Sequence, residues 1–393
     1  MKDQSEKDNF NIAMIGHKHV PSREGGVEIV VEELSTRMVE LGYKVCCFNR
    51  KCHHVCGKKY DSSNDYKEYK GIQLKPVFTI NIKGLAAVSS SFIAAIGSVV
   101  GKYDIVHFHA EGPCAMMWLP KLFGKHCIAT IHGLDWQREK WQGNFGAKFI
   151  KLGEKVAVKY ADEIIVLSKN IKKYFKDEYG VETIYIPNGV NIPEKNLNAK
   201  IIFDEFRLEK DSYILFLGRL VPEKGLRYLI EAFKETNTNK NLVIAGGTSD
   251  SSDFVNEIKE LCKYDERIIF TGFVSGNKLN ELYSNAYIYV LPSDVEGMPL
   301  SLLEAMAYEN CILVSNIEEC TEVVEDKAVI FEKGNVQDLK YKLQYLCDNP
   351  DIVNIYRRNT KEFVRNRYNW DKIVETTVQL YNKVKNTGKS KSL

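Results

Sequence analysis

At 393 residues, with 44% hydrophobic and 27% charged residues and a formal net charge of +2, the chain has the length for two domains of ordinary size and the composition of a soluble globular protein. The balanced charge leaves no electrostatic footprint for nucleic acid, no run of about 18 apolar residues predicts a membrane span, and the polar start Met1-Lys-Asp-Gln-Ser-Glu-Lys-Asp8 lacks a signal-peptide core. A cytoplasmic protein with reduced thiols is therefore expected, its ten cysteines acting mainly as small hydrophobes in apolar runs such as those of Cys46, Cys47, Cys127 and Cys311.

In chain order, Asn11–Gly16 predicts a first strand, and Gly25-Gly26 opens an amphipathic helix through Val30, Leu34, Met38 and Leu41, stopped by Gly42. Lys44–Phe48 and Ile72–Phe78 predict further strands. Between them, Cys52-His-His-Val-Cys56 lacks the second spaced pair that structural zinc sites bring, so it reads as a surface loop rather than a metal site. Ser89–Val100 predicts a helix; the basic and apolar residues from Lys83 to Val100 suit either a peripheral membrane contact at the inner face or a core helix. Asp104–His109, Cys127–His132 and Glu163–Ser168 predict buried strands separated by helices, and Ile184–Val190 closes the unit. Asn191 to Asp211 is polar with weak periodicity and reads as a linker. The alternation then restarts: strands at Tyr213–Gly218, Asn241–Gly246, Arg267–Thr271, Ala286–Leu291 and Cys311–Ser315, helices at Leu226–Phe233, Leu300–Tyr308, Leu339–Cys347 and Val353–Arg367. A final helix, Trp370–Val384, precedes a basic tail read as frayed, Lys385–Leu393. The expected division is 1–195 for an N-terminal domain, 196–369 for a second domain, and 370–393 for a helix packing back on the first. Two α/β units with mostly parallel sheets follow, whose ligands bind beyond the carboxyl ends of strands.

The stretch Ser293-Asp-Val-Glu-Gly-Met-Pro-Leu-Ser-Leu-Leu-Glu304 is a strand, loop and helix start with a carboxylate on each side of the junction. A helix N-terminus suits a phosphate, and an ionised carboxylate suits sugar or ribose hydroxyls. Alternatively, Glu296 caps the helix and Glu304 is a solvated helical residue. Gly218-Arg219-Leu-Val-Pro-Glu-Lys224-Gly225 also lies between a strand and a helix; Arg219 and Lys224 suit a diphosphate, or are solvated charges of a basic turn. Asp294-Val-Glu296 resembles a carboxylate pair for Mg²⁺, but the cations and helix N-terminus already supply the positive charge, so no metal and no cofactor is expected. Gly25-Gly26 does not form the Gly-x-Gly-x-x-Gly of dinucleotide folds, which argues against NAD. All eight histidines lie at or before position 132; His107, His109 and His132 end strands, where they serve either function or the core. Asp135, Trp136 and Trp141 suit acceptor contacts, with Trp stacking on a sugar ring, or anchor the following helix.

Thr271-Gly-Phe-Val274, Leu279, Leu282, Tyr283, Ala286, Pro292-Ser293, Glu296-Gly297, Pro299-Leu300 and Leu303-Glu304-Ala-Met-Ala307 closely resemble the donor-binding half of family-4 retaining glycosyltransferases, with Glu296 and Glu304 matching the family's Glu-x7-Glu pair. The Gly218–Gly225 stretch matches its phosphate-binding Arg and Lys. The opening Gly16–Glu28 resembles that of bacterial polysaccharide glycosyltransferases, rhamnosyltransferase-like ones included, although Val27 stands where that subgroup often has an aromatic. The resemblance implies a GT-B fold, two Rossmann-like domains facing across a cleft. It implies metal-independent, hexosyltransferase-type transfer from a nucleotide diphosphate sugar to a saccharide or lipid-linked saccharide acceptor, with retention, in cell-envelope or capsular polysaccharide assembly. Arg219, Lys224, Glu296 and His132 become the catalytic candidates. Gly25, Gly26, Gly218, Phe273, Val274, Gly297, Met298, Pro299, Leu300 and Glu304 become the donor-binding candidates. His109, by its strand-end position, Asp135 and Trp136 are the acceptor-side ones. The alternatives are another GT-B enzyme, a sugar-nucleotide epimerase or phosphorylase, and a non-catalytic GT-B partner protein.

Overall fold

A computed structural model describes residues 10–51, 67–80, 82, 85–138, 145–247 and 252–390. The Cys52–Cys56 cluster and Trp141 lie outside the described residues. The chain divides into two compact units: the first comprises the described residues up to Asn188 and from Trp370 on, the second Gly189–Asn369.

The first unit runs β1 (Asn11–Ile15), α1 (Gly26–Glu40), β2 (Lys44–Arg50), β3 (Glu68–Tyr69), β4 (Ile72–Val77), α2 (Leu85–Val100), β5 (Ile105–His109), α3 (Glu111–Cys114), α4 (Trp118–Leu122), β6 (His126–Ile131), α5 (Phe145–Tyr160), β7 (Glu163–Val166), α6 (Lys169–Tyr179) and β8 (Ile184–Tyr185). Among the described residues its sheet has the order β3-β4-β2-β1-β5-β6-β7-β8, parallel throughout except for the β3–β4 pair. β1 is the switch point: β2 extends the sheet to one side and β5 to the other, with Asn11 opposite Lys44 and Ile15 opposite Phe108. Burial on both faces explains why β5 is buried at every position without alternation, its two histidines included.

The second unit runs α7 (Lys200–Phe206), β9 (Tyr213–Leu217), α8 (Leu226–Lys234), β10 (Asn241–Ala245), α9 (Ser252–Cys262), β11 (Ile268–Gly272), α10 (Gly276–Asn285), β12 (Ile288–Leu291), α11 (Leu300–Ala307), β13 (Cys311–Ser315), α12 (Glu318–Val324), β14 (Val329–Phe331), α13 (Val336–Asp348), α14 (Pro350–Arg357) and α15 (Thr360–Arg367). Its sheet is wholly parallel, in the order β11-β10-β9-β12-β13-β14, with the switch point between β9 and β12.

Three sequence expectations need correction. Asn191–Asp211 is not a bare linker. It belongs to the second unit and contains α7, whose first turn is held by the buried Glu281 carboxylate through the Ile201 and Ile202 N–H groups at 2.7 and 3.1 Å. That anchor is 80 residues away in sequence, out of reach of local periodicity. The helix expected over Val353–Arg367 is two, broken at Asn359, which adopts the left-handed conformation at φ 66°. The basic tail is helical through Ser390, the end of α16 (Trp370–Ser390). α16 packs on the first unit: Arg37 Nε donates to Asp371 Oδ1 at 3.0 Å, Lys383 Nζ to Glu163 Oε1 at 2.9 Å, and the Tyr381 ring stands edge-on to His107.

Candidate functional site

In the second unit the donor candidates line up on one edge of the sheet, because every strand is parallel and every loop in question leaves a carboxyl end. Arg219 and Lys224 follow β9, Phe273 and Val274 follow β11, and Glu296 to Leu300 follow β12. The β9 and β12 loops flank the switch point, where open α/β sheets leave a crevice. The two loops are tied together by the Asp294 N–H, which donates to the Glu223 carbonyl at 2.8 Å, and by the Tyr228 hydroxyl, which bonds to Asp294 Oδ1 at 2.9 Å and to the Pro292 carbonyl.

The centre of this edge is an ion pair between Lys224 Nζ and Glu296 Oε1, with the two side chains only 11% and 9% exposed. The same carboxylate oxygen accepts from Ser293 Oγ at 2.6 Å, and the Ser293 carbonyl accepts from Ser315 Oγ at 2.6 Å, which ties the loop to the end of β13. Glu296 therefore does not cap α11. That helix starts at Pro299 without a side-chain cap, so no side chain takes up the N–H groups of its first turn at the positive end of the helix dipole. Asp294 and Glu296, expected as neighbours, turn to different partners: Asp294 to Tyr228, with burial raising its pKa, and Glu296 to Lys224. Glu304, past the first turn of α11, is not a simple solvated residue. Its Oε2 lies 3.0 Å from the hydroxyl of buried Tyr283, whose ring stacks on Tyr308 at 5.0 Å. Phe273 is exposed and Val274 buried.

Two glycines here are demanded by the backbone. Gly225, at φ 69°, ends the turn after Lys224; a Cβ there would meet the Pro292 carbonyl oxygen at 1.9 Å. Gly246, at φ 140°, follows β10, and its Cβ would lie 1.8 Å from the Gly218 carbonyl oxygen. Gly218 itself has room, its nearest foreign atom being 3.4 Å from an added Cβ. Gly218, Gly246 and Gly272 end three adjacent strands and leave the sheet edge bare of side chains beside Arg219. Sequence reading named Gly246, Ser293 and Tyr283 but gave none of them a role in the site. A glycine immediately after an apolar strand was the available signal for the first; the other two act through contacts that local pattern does not encode.

In the first unit the switch point between β1 and β5 gathers buried imidazoles. The Gly16 Cβ position, at φ 116°, is 2.1 Å from the His109 carbonyl oxygen, so only glycine lets the ends of β1 and β5 approach. His107 Nδ1 is 2.6 Å from the Tyr381 hydroxyl and its Nε2 2.7 Å from Thr130 Oγ1, so His107 is a satisfied core residue under α16. His109 Nδ1 is 3.0 Å from His132 Nε2, and His17 Nε2 is 3.0 Å from Asn49 Oδ1. Burial holds these rings neutral, lowering His17 and His132 to about 4, His107 to about 3, and His109 well below the ordinary imidazole range. Gly25 and Gly26 open α1. Burial alone would raise the Glu28 carboxyl, but the Lys18 N–H, donating to Oε1 at 2.8 Å, and nearby positive charge hold its pKa below the usual value. A Cβ on Gly25 would meet Glu28 Oε2 at 2.3 Å. Asp135 pairs with Arg138 at 2.8 Å, and its N–H donates to the buried Glu111 carboxylate at 2.8 Å. Trp136 packs against the core with Lys151 Nζ 4.1 Å from its ring centre, which favours the anchoring reading for that residue. Among the described residues no group of three or more His, Cys, Asp or Glu side chains is arranged to hold a metal ion.

Comparison with known proteins matches this geometry. A model of the glycosyltransferase family 4 domain covers residues 24–193, and a model of glycosyl transferases group 1 covers residues 198–367. The chain is 26% identical to an uncharacterized glycosyltransferase of Methanocaldococcus jannaschii, over 95% of this chain and 98% of that one. It is 27% identical to the Escherichia coli UDP-Gal:alpha-D-GlcNAc-diphosphoundecaprenol alpha-1,3-galactosyltransferase, over 71% of this chain and 75% of that one. Its fold superposes on HepE from Anabaena in complex with UDP-glucose at a TM-score of 0.79, with 14% identity, covering 95% of this chain and all of that one. With a domain model matched to each of its two doubly wound α/β halves, the chain is a family-4 glycosyltransferase of the GT-B fold.

Proposed function

We propose that this protein transfers a sugar, of hexosyl type, from a nucleotide diphosphate sugar to an acceptor hydroxyl, with retention at the anomeric carbon and without a metal ion. The observation that carries the reading is the occluded Lys224–Glu296 pair at the β9/β12 switch point, beside Arg219 and the uncapped start of α11. A cation and a carboxylate held side by side suit a ligand that has phosphates next to hydroxyls. On donor binding Lys224 divides its hydrogen bonds between Glu296 and the diphosphate. Arg219, Lys224 and the N–H groups of Gly297, Met298 and Leu300 then face charge that grows as the glycosidic C–O bond breaks, which is electrostatic catalysis. The departing diphosphate oxygen takes the proton of the acceptor hydroxyl while the new C–O bond forms on the same face.

In this reading Glu296 aligns hydroxyls of the transferred sugar, and Glu304, oriented by Tyr283, holds the ribose. Phe273 and Val274 offer backbone to the base, and Gly218 admits the phosphates. His132, kept neutral by burial, bonds to the transferred sugar as donor or acceptor rather than as a cation. His109 sets its orientation through the 3.0 Å contact. Gly25 and Gly26 serve the donor phosphate and acceptor from the start of α1, and Asp135 serves the acceptor. The name of the Escherichia coli relative contains a UDP-sugar and a diphosphoundecaprenol-linked saccharide, and the Anabaena structure contains UDP-glucose. Both support a nucleotide-sugar donor, and the first supports a lipid-linked acceptor in envelope or capsular polysaccharide assembly.

The test is a panel of sugar nucleotides with and without saccharide and polyprenyl diphosphate-linked acceptors, followed by mass spectrometry and NMR of the products, each run with and without EDTA. Acceptor-dependent release of nucleoside diphosphate, an unchanged anomeric configuration and activity within a small factor in EDTA are expected. Interconversion of the sugar nucleotide, or phosphorolysis, would assign the fold to a different reaction. Loss of activity in EDTA that Mg²⁺ or Mn²⁺ restores would overturn metal independence.

A further inference from the structure

Two acidic side chains that the transfer reaction does not use lie in the interior of the first unit. Glu111 begins α3, just after β5, and Glu154 lies within α5; both are 0% exposed. A glycine brings them together. A Cβ on Gly153 would lie 1.9 Å from the Glu111 carbonyl oxygen, so only glycine lets α5 approach the start of α3 and set the next residue, Glu154, against Glu111. Glu154 Oε2 accepts the hydroxyls of Tyr174 and Tyr179 at 3.0 and 2.5 Å, and Glu111 Oε2 accepts the Asp135 N–H at 2.8 Å. The Oε1 atom of each carboxyl is buried and receives no donor from any other group. The two carboxyls are within hydrogen-bond reach of each other. Two carboxylates have no hydrogen to share, so one proton between them satisfies both remaining oxygens at once. The local cations face other groups: Arg138 pairs with Asp135 at 2.8 Å, and Lys151 stands over the Trp136 ring at 4.1 Å. Burial above all, then the charges of Asp135 and Glu154, push the Glu111 carboxyl well above its ordinary range, which puts the proton on Glu111. Glu154 then accepts from three O–H groups, the two phenols and the Glu111 acid.

This pair holds the turn after β6. Asp135–Gln137 is one turn of 3-10 helix that starts without a side-chain cap of its own, and Glu111, from a different segment, takes its first N–H. Trp136 packs on Tyr174 at 6.2 Å between ring centres, and Tyr174 is itself a donor to Glu154. At the start of the turn His132 meets His109 at 3.0 Å, two residues before Glu111. The segment from His132 to Trp136 is thus fixed at one end by β5 and at the other by the groups around Glu154. From these contacts we infer that Glu111 is a positioning residue: sharing one proton with Glu154, it fixes the His132–Asp135 turn and, through it, the side chains offered to the transferred sugar and the acceptor. The inference rests on the roles proposed above for His132 and Asp135. Loss of the proton would set two buried anions side by side, with Asp135 as a third, and would force the turn and the two helices apart.

The experiment compares the full chain with Glu111→Gln, Glu111→Leu and Tyr179→Phe. Infrared spectra at neutral pH should show the C=O stretch of a protonated carboxyl, shifted in D2O, that is missing in Glu111→Gln. In Tyr179→Phe the band should move to lower frequency, because Glu154 has lost a donor and draws the proton more strongly. Hydrogen exchange of the segment 132–138 should be about tenfold or more faster in Glu111→Leu, which strands a buried N–H. Glu111→Gln should exchange near the parent's rate, since its amide can accept from Asp135 and donate to Glu154. Neither measurement needs a substrate. Success in both with no transfer in the panel of donors and acceptors would therefore fault the reaction and not the pair. With the acceptor that the panel identifies, Glu111→Leu should lower kcat by about tenfold or more and Glu111→Gln should recover most of it, with UDP affinity unchanged in both. A parent without the carboxyl band, a band that persists in Glu111→Gln, parent-like exchange or turnover in Glu111→Leu, or a loss in Glu111→Gln as deep as in Glu111→Leu overturns the inference. Should Glu111→Leu fail to fold, Tyr179→Phe decides: a band indifferent to that change would place the proton outside this network and overturn it equally.

Discussion

The Lys224–Glu296 pair allows a quantitative test that separates stability from ligand binding. Glu296→Leu removes the carboxylate and leaves an ammonium group that has little contact with water, its side chain being 11% exposed. Breaking a buried pair in this way costs about 3–5 kcal/mol, whereas replacing both members by apolar residues is often neutral. Both side chains retain some access to solvent, so the lower end, about 3 kcal/mol, is expected. For a domain of this size that corresponds to a fall of roughly 6–12 °C in Tm. Lys224→Met should destabilise less, because a stranded carboxyl can take up a proton, and Lys224→Met/Glu296→Leu should recover most of the loss. Nucleoside diphosphate should respond in the opposite sense. With Glu296 gone, Lys224 is no longer divided between two anions, so UDP should bind Glu296→Leu as tightly as the parent or more tightly, and should restore more of its Tm, while turnover collapses. Calorimetric melts with and without UDP, and titration calorimetry on the four proteins, measure all of this. A Glu296→Leu variant that melts within 1 °C of the parent, or a double variant no more stable than the worse single one, would refute the argument that the pair is a desolvated ion pair.

Arg219→Ala should lower kcat by at least about 10- to 100-fold, as a charge-assisted bond contributes about 1.5–3 kcal/mol and leaving-group charge grows in the transition state. Arg219→Lys should recover only part, and Glu304→Ala should act mainly on KM, so a pure KM effect of Arg219→Ala would make it a binding residue instead. Stability should fall with acid. His17, His107 and His132 have folded pKa values lowered by burial to between about 3 and 4, so the unfolded chain takes up protons first as pH falls through about 6.5. From pH 7.5 to 5.5 each imidazole accounts for about 1.4 kcal/mol, on the order of 4 kcal/mol together, and urea melts at the two pH values that coincide would contradict their burial as neutral rings. Gly246→Ala should destabilise by about 3 kcal/mol, because its Cβ overlaps the Gly218 carbonyl at 1.8 Å and its φ is 140°. Gly218→Ala, which has room, should melt like the parent and weaken only donor binding. Equal melting of the two would contradict the close approach of the β9 and β10 ends.

Which elements form, and in what class of fold, was legible along the chain. β9, β12 and β13 are short continuous apolar runs between turn residues, and such runs recurring with amphipathic helices between them admit little besides parallel sheets covered on both faces. The glycine-bounded Arg219–Lys224 turn and the Glu296–Glu304 junction were also local, since each is a strand–loop–helix unit in which spacing alone fixes which residue sits at the carboxyl end. What residues do across space was not. The same stretch that reads as a Glu pair could hold a capping glutamate and a solvated one; only the packed sheet, by setting the β9 loop beside the β12 loop, turns Glu296 onto Lys224 and seats Tyr283 against Glu304. His107 and His109, two residues apart and alike in sequence, separate in the same way: one is closed off by Tyr381 from an α-helix 274 residues later, the other reaches His132. The large apolar residues of α2 read equally as core or as surface, because periodicity shows that a helix has faces and not which face meets the sheet. That choice is made by volume, since the close approach to Phe48 sets the Ser, Ala and Gly side, with Ile93 beside it, against the sheet and puts Phe92 and Ile96 outside.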